Sequence, residues 1–313
     1  MTVDELVREW AQSSGEIDKI RRNQSLLRFL GEWLFCEYQP YPEKADFWER
    51  LYTWLDQVPA GPRRASHQQA MFNFVIHLLF AGERDLTSMY RAAYDGPIRR
   101  WLIDQANLNL ETPNFDIEFE NARRNTWFGS LAGMDINTFC RVNRIFGQSY
   151  RPEFRFINEF CDANKLRKWL DDKGYERIVV VEDMVGTGCQ FLETIEVLTK
   201  LGKETLFVPL FIPPKGEKLI RRFLNKPKNS HVKFHPIQIL PLDCVIQKNP
   251  QLTDSEDVIA FRDVINIYGK GIFGFGQDYG TLALSYLNCP DNVPKIIWSP
   301  SESALFPRAS REG

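Results

Sequence analysis

Apolar residues recur at helical spacing through the first third of the chain. Residues 3–10, 17–38, 47–55, 66–80 and 87–106 each carry that period, and Pro40, Pro42, Pro59 and Gly61-Pro62 interrupt it. The spacing predicts a helical region over residues 1–120. Its stripe of Trp and Phe reads as the core of a bundle or cap rather than a ligand box.

From about residue 120 the pattern changes. It predicts a strand over 126–130, a helix over 135–145 with Asp135 or Asn137 near its start, and a helix over 156–172 stopped at Gly174. Arg177-Ile-Val-Val-Val181 is a continuous β-branched run, which marks a strand buried on both faces. A helix over 189–201 follows, with Phe191, Ile195, Leu198 and Leu201 on one side, then a strand over 205–212, a helix over 217–224 and a strand over 232–240. Pro209 and Pro236 count against central places for the last two strands. Alternating strands and helices predict an α/β domain over residues 121–313, with a mostly parallel sheet.

Candidate chemistry concentrates in Ile178-Val-Val-Val-Glu-Asp-Met-Val-Gly-Thr-Gly-Cys-Gln-Phe191. A buried strand delivers Glu182 and Asp183 to its carboxyl end, where open α/β sheets bind ligands. The loop that follows has Gly186, Thr187 and Gly188, then a helix begins. Loop N–H groups and a helix N-terminus together attract an anion, and glycines let backbone approach phosphate oxygens. Two carboxylates beside that site would repel a bare phosphate. They suit the 2′- and 3′-hydroxyls of a ribose 5-phosphate. The plain alternatives are an acidic helix cap for Glu182-Asp183 and an N-cap for Thr187.

Bulk properties narrow the setting. The net charge is -2 and no apolar window reaches the roughly 20 residues of a membrane span, so no general pull toward nucleic acid or membrane is predicted. Six scattered cysteines without Cys-x-x-Cys predict reduced thiols in a cytoplasmic protein. His231 and His235 stand on one face of a predicted strand, where packing or exposure outweighs metal binding. The basic residues Lys215, Lys218, Arg221, Arg222, Lys226, Lys228 and Lys233 read as a solvated face, with contact to polyphosphate, nucleic acid or a partner as the alternative.

The strand–acid–loop segment resembles the phosphoribosyl pyrophosphate signature of type I phosphoribosyltransferases. The resemblance implies a phosphoribosyltransferase-type sheet with helices on both faces. It implies that Glu182 and Asp183 serve as the catalytic acids that bind the ribose. Val185, Gly186, Thr187, Gly188, Cys189 and Gln190 would wrap the 5′-phosphate, and Mg²⁺ would arrive with phosphoribosyl pyrophosphate or a nucleotide. Gln190 stands where the signature has Ser or Thr, and Val185 where purine-type members often carry an acid, so that position supplies no general base. Ser130, Gly133 and Asp135 fall where a pyrophosphate loop is expected, with an ordinary turn as the alternative.

The tail Gly274-Phe-Gly-Gln, then Leu287-Asn-Cys-Pro-Asp-Asn-Val-Pro-Lys-Ile-Ile-Trp298 and Leu305-Phe-Pro-Arg308, resembles phosphoribosyltransferase-like effectors of bacterial conflict and anti-phage systems, some of them retron-associated. Asn288, Asn292 and Trp298 would form a closing segment; turn-forming Asn and a packed Trp would also explain them. The resemblance implies a glycosyltransferase-type enzyme acting at C1 of a phosphorylated ribose compound or nucleotide, by transfer or cleavage. It also implies an inhibitory or regulatory protein or nucleic-acid complex as partner; a homo-oligomer is compatible with it. Two alternatives stand beside it. One is a non-catalytic nucleotide sensor. The other is a SAM-dependent methyltransferase, disfavoured because the strand over 205–212 ends without an acid. Gly269-Lys-Gly-Ile-Phe-Gly274 fits a dinucleotide fingerprint literally but has no buried strand before it.

Overall fold

A computed structural model of the chain describes residues 2–13, 15–41, 46–131, 134–146, 162–252, 254–274, 278–300 and 302–308. Among them run nine strands: β1 (Leu79–Ala81), β2 (Thr126–Gly129), β3 (Arg177–Met184), β4 (Glu204–Ile212), β5 (Val232–Phe234), β6 (Gln238–Ile239), β7 (Val245–Gln247), β8 (Tyr279–Thr281) and β9 (Ala283–Ser285). The chain folds as two compact units, Thr87–Leu240 and the pair of segments Met1–Leu86 with Pro241–Gly313. This division by packing runs differently from a boundary at residue 120.

The unit Thr87–Leu240 is α/β. Its five-stranded sheet has the order β2-β3-β4-β5, with β6 also on β4, and every pairing is parallel. Strand β3 lies at the centre because Ile178, Val179, Val180 and Val181 are all fully buried. Ile178 and Val180 pack with Leu166 and Leu170 of helix Ala163–Asp172, Ile195 and Leu198 of helix Cys189–Leu201, and Ile220 and Leu224 of helix Pro214–Leu224. On the other side Phe128 meets Phe139 of helix Ile136–Val142, which in turn meets Tyr90 and Tyr94. Helices therefore cover both faces. Each buried aliphatic side chain of this core contributes about 1.5–3 kcal/mol.

Two expectations need correction here. The strand over 232–240 is broken into β5 and β6, which leaves His231 and His235 flanking β5. Pro236 lies at the break, and facing it Pro209 has no N–H to give, although its carbonyl still accepts from Ile237 N at 2.9 Å. Pro209 is tolerated in the central β4 because its missing donor falls at that interruption. The helix over 87–106 is also interrupted, by a π-helical turn at Tyr94–Ile98 that contains Pro97. The part of the 156–172 helix before residue 162 lies outside the described residues.

The other unit holds helices Val3–Ser13, Ile17–Trp33, Phe47–Asp56, Arg64–Phe74 and Glu256–Ile267, a parallel pair β1–β9 and an antiparallel pair β7–β8. The helix predicted over 66–80 ends early, since residues 79–81 pair instead with Ala283–Ser285. Phe306 is buried against Phe35, Tyr38 and Phe80. Among the described residues no helix is long and apolar enough to cross a membrane.

Candidate active site

The two acids are among the last three residues of β3, and strand alternation sends them to opposite faces. Glu182 shares the side of Ile178 and Val180. It is 3% exposed, and its Oε2 accepts a hydrogen bond from the Leu131 backbone N–H at 2.9 Å. Leu131 begins the loop after β2, the neighbouring strand, so Glu182 ties that loop to the end of β3. Asp183 faces the other way and is only half-buried; its Oδ1 accepts from Met184 N at 2.7 Å. Burial pushes the Asp183 carboxyl above its ordinary range, against the pull of hydrogen bonds from its own and the Met184 N–H.

The loop leaves β3 still anchored, with Val185 N donating to Phe211 O of β4 at 2.9 Å. Val185 is fully buried, as its place in the core requires. Gly188 takes φ +83°, a left-handed turn that starts helix Cys189–Leu201, and Phe191 N returns to Gly188 O at 3.1 Å. Among the described residues, no acceptor in the chain takes the backbone N–H groups of Gly186, Thr187, Gly188 or Cys189. A row of free donors at a helix N-terminus is an anion cradle. Thr187 is 9% exposed and Cys189 is exposed, while the side chain of Gln190 lies outside the described residues.

A residue absent from the sequence reading shapes this loop. Gly216, in the first turn of helix Pro214–Leu224, lies directly against it: a Cβ there would come within 2.3 Å of Gly186 O and 3.4 Å of the Thr187 carbonyl carbon. The loop can occupy its position only because residue 216 has no side chain. No local sequence signal marks Gly216, since its neighbour is 30 residues away along the chain.

Of the predicted pyrophosphate loop, Ser130 is fully buried and its Oγ donates to Met134 O at 3.2 Å, closing the turn. Asp135 caps helix Ile136–Val142 by accepting from Asn137 N at 3.0 Å and Thr138 Oγ1 at 2.9 Å. Gly133 lies outside the described residues. Three consecutive parallel strands, β2, β3 and β4, thus send their following loops out at one end of the sheet, with the acids and the open N–H row among them.

A family model described as PRTase-CE matches residues 51–308. The chain belongs to the PRTase-CE family. That places it among phosphoribosyltransferase-like effectors of conflict systems, and the parallel sheet is the one such a domain uses. Comparison with curated proteins and with solved structures gave no match.

The PRTase-CE tail residues belong to the second unit. Asn288 Oδ1 accepts from Cys289 N at 2.9 Å within a tight turn, where Asn288 N and Ser285 O are 3.2 Å apart. The Asn292 carbonyl accepts from Thr281 N at 2.8 Å. Its side-chain amide is buried with neither end hydrogen-bonded among the described residues. Trp298 Nε1 donates to Val293 O at 3.0 Å, and the Arg308 guanidinium lies 5.2 Å from the Trp298 ring centre and 3.9 Å from Asp291. Of Gly274-Phe-Gly-Gln, residues 275–277 lie outside the described residues. The basic residues over 215–233 are all exposed, with Arg221 paired to Glu217 and set over Phe234.

Proposed function

We propose that this protein is an enzyme acting at C1 of a ribose 5-phosphate compound, by phosphoribosyl transfer or nucleotide cleavage, as an effector of a bacterial anti-phage defence system. The observation that carries the reading is the half-buried Asp183 carboxylate at the strand end just before four backbone N–H groups, Gly186–Cys189, that have no acceptor among the described residues. Asp183 accepts hydrogen bonds from the ribose diol. The N–H row holds the 5′-phosphate. Glu182, buried on the opposite face, keeps the β2 loop in place, where its backbone can meet the departing pyrophosphate.

In the reaction the C1 bond to pyrophosphate, or to a nucleobase in cleavage, breaks with its electron pair leaving on that group, and a nucleophile closes on C1. The transition state carries positive charge on the ring, so positioning and stabilisation of the leaving group supply most of the rate. Val185 has no proton to take or give. A single carboxylate beside an anion cradle fits a Mg²⁺ held mainly by substrate oxygens, the usual manner for this ion. When bound, it would neutralise the leaving phosphates; Asp183 is the side chain placed to reach it.

Thermal shift tests the reading. Phosphoribosyl pyrophosphate with Mg²⁺, at about 100 times its dissociation constant, should stabilise the protein by roughly 2.7 kcal/mol. The stabilisation should vanish in Asp183→Asn. An equal shift in that variant defeats the proposal, while a normal shift without released pyrophosphate or base favours the sensor.

A further inference from the structure

The unit Thr87–Leu240 contains a second cavity, of about 460 Å³, between its π-helical turn and the β5 edge of the sheet. That volume is within the range of small-molecule sites. It is not part of the phosphate cradle. Its sheet wall is Leu206, which pairs across from Val179, and Val179 lies five residues before Met184 at the strand's other end. Five residues of strand span about 16 Å.

Four observations converge on this cavity. First, its wall is the π-helical turn Tyr94–Ile98, and such turns are rare and gather at functional sites. A Cβ on Gly96 in that turn would touch nothing within 4 Å, so the wall is open there. Second, Arg100 and Lys233 line the cavity, and among the described residues neither has an ion-pair partner. Burial, and after it the nearby charges of Arg221 and Arg100, hold the lining His235 below its usual range. Third, Trp101 lines it and is 6% exposed, yet among the described residues its indole N–H reaches no acceptor. That nitrogen is itself sealed from the cavity, so what Trp101 offers an occupant is the part of its ring that forms the wall. Fourth, the lining includes the ring of Phe234 and the carboxylate of Asp104. A carboxylate would repel a plain polyphosphate, so the occupant must bring hydroxyl or amino donors together with its negative charge.

We propose that this cavity is a second binding site, for a nucleotide whose phosphates lie against Arg100 and Lys233, whose ring meets Phe234 and Trp101, and whose hydroxyls reach Asp104. An anion, a planar ring and neutral donors in one small molecule match Arg100 and Lys233, Phe234 and Trp101, and Asp104 of the lining. The site lies at the opposite end of β3 from the acids, so its occupant is bound rather than consumed.

The test is calorimetric titration with ADP of the full chain whose first site is already saturated with phosphoribosyl pyrophosphate and Mg²⁺, beside the doubly charge-reversed Arg100→Glu/Lys233→Glu variant and the conservative Trp101→Phe. The double variant should lose at least tenfold in ADP affinity and Trp101→Phe about fivefold, the latter being roughly 1 kcal/mol. The phosphoribosyl pyrophosphate shift should be unchanged in both. ADP binding that survives the charge reversal overturns the proposal, as does ADP binding lost in Asp183→Asn instead. Inorganic pyrophosphate competing as tightly as ADP also overturns it, since the cavity would then read only charge. Loss of the phosphoribosyl pyrophosphate shift with ADP binding intact would sink the catalytic reading alone.

Discussion

Replacing Gly216 by alanine isolates the contact that shapes the phosphate loop. In an ordinary helix this change stabilises by about 0.8–1 kcal/mol, because alanine loses less backbone freedom. Here the new methyl group would start 2.3 Å from Gly186 O and 3.2 Å from Ile212 Cγ1. To reach ordinary contact the loop carbonyl must retreat by about 1 Å. Overpacking of this kind costs about 1–3 kcal/mol, so the balance runs from near neutral to about 2 kcal/mol destabilising. The functional effect should be larger, since a shift of about 1 Å in a positioning group can cost on the order of 100-fold. Differential scanning fluorimetry with and without phosphoribosyl pyrophosphate separates the two effects. Expected is a melting temperature equal to or a few degrees below that of the parent, with the ligand-induced shift largely lost. A variant that melts higher and keeps its full ligand response would show that the loop does not rest on residue 216.

Further outcomes follow from the same geometry. Because the folded pKa of Asp183 is raised, its ionised form penalises the native state above that pKa and costs nothing below the unfolded value. Asp183→Asn should therefore melt higher than the parent at neutral pH, with the gain fading as pH falls through the carboxylate range in a pH series of melts. Glu182→Ala should destabilise by about 1–3 kcal/mol relative to Glu182→Gln in denaturant titrations, because only glutamine leaves an acceptor for the buried Leu131 N–H. In the other unit Arg262 and Asp254 form an ion pair with both side chains 4% exposed, and Arg262 Nε also donates to Gln247 O at 2.7 Å. Asp254→Ala strands that guanidinium and should cost about 3–5 kcal/mol by chemical unfolding.

The parts of the site that were legible in the sequence are those written within one turn of chain. Ile178–Val181 announce a doubly buried strand, and the acids, glycines and helix that follow are contiguous, so their order alone gives the cradle. Alternation along β3 was equally readable and separates Glu182 from Asp183, but the partner of Glu182 lies 51 residues away and left no trace in the local pattern. Gly216 lies just before the predicted helix over 217–224, and nothing near it in the chain points to the loop it touches. β1 was hidden for a similar reason: Leu79–Ala81 carry a helical period, and their pairing with Ala283–Ser285 overrides it. The break in the last strand was half-visible, since Pro236 signals trouble without saying that Pro209 sits opposite it.

The pairing of β1 with β9 has a consequence for biosynthesis. The Tyr38 hydroxyl donates a hydrogen bond to Pro307 O at 2.6 Å, the Tyr41 hydroxyl to Leu305 O at 2.9 Å, and the Trp54 indole N–H to Ile296 O at 2.7 Å. Residues 38–54 therefore meet these partners only after more than two hundred further residues have been translated, while the stretch between them holds the five strands of the parallel sheet. Pairing across so long an intervening stretch makes this unit the slower of the two to assemble, since distant contacts close late.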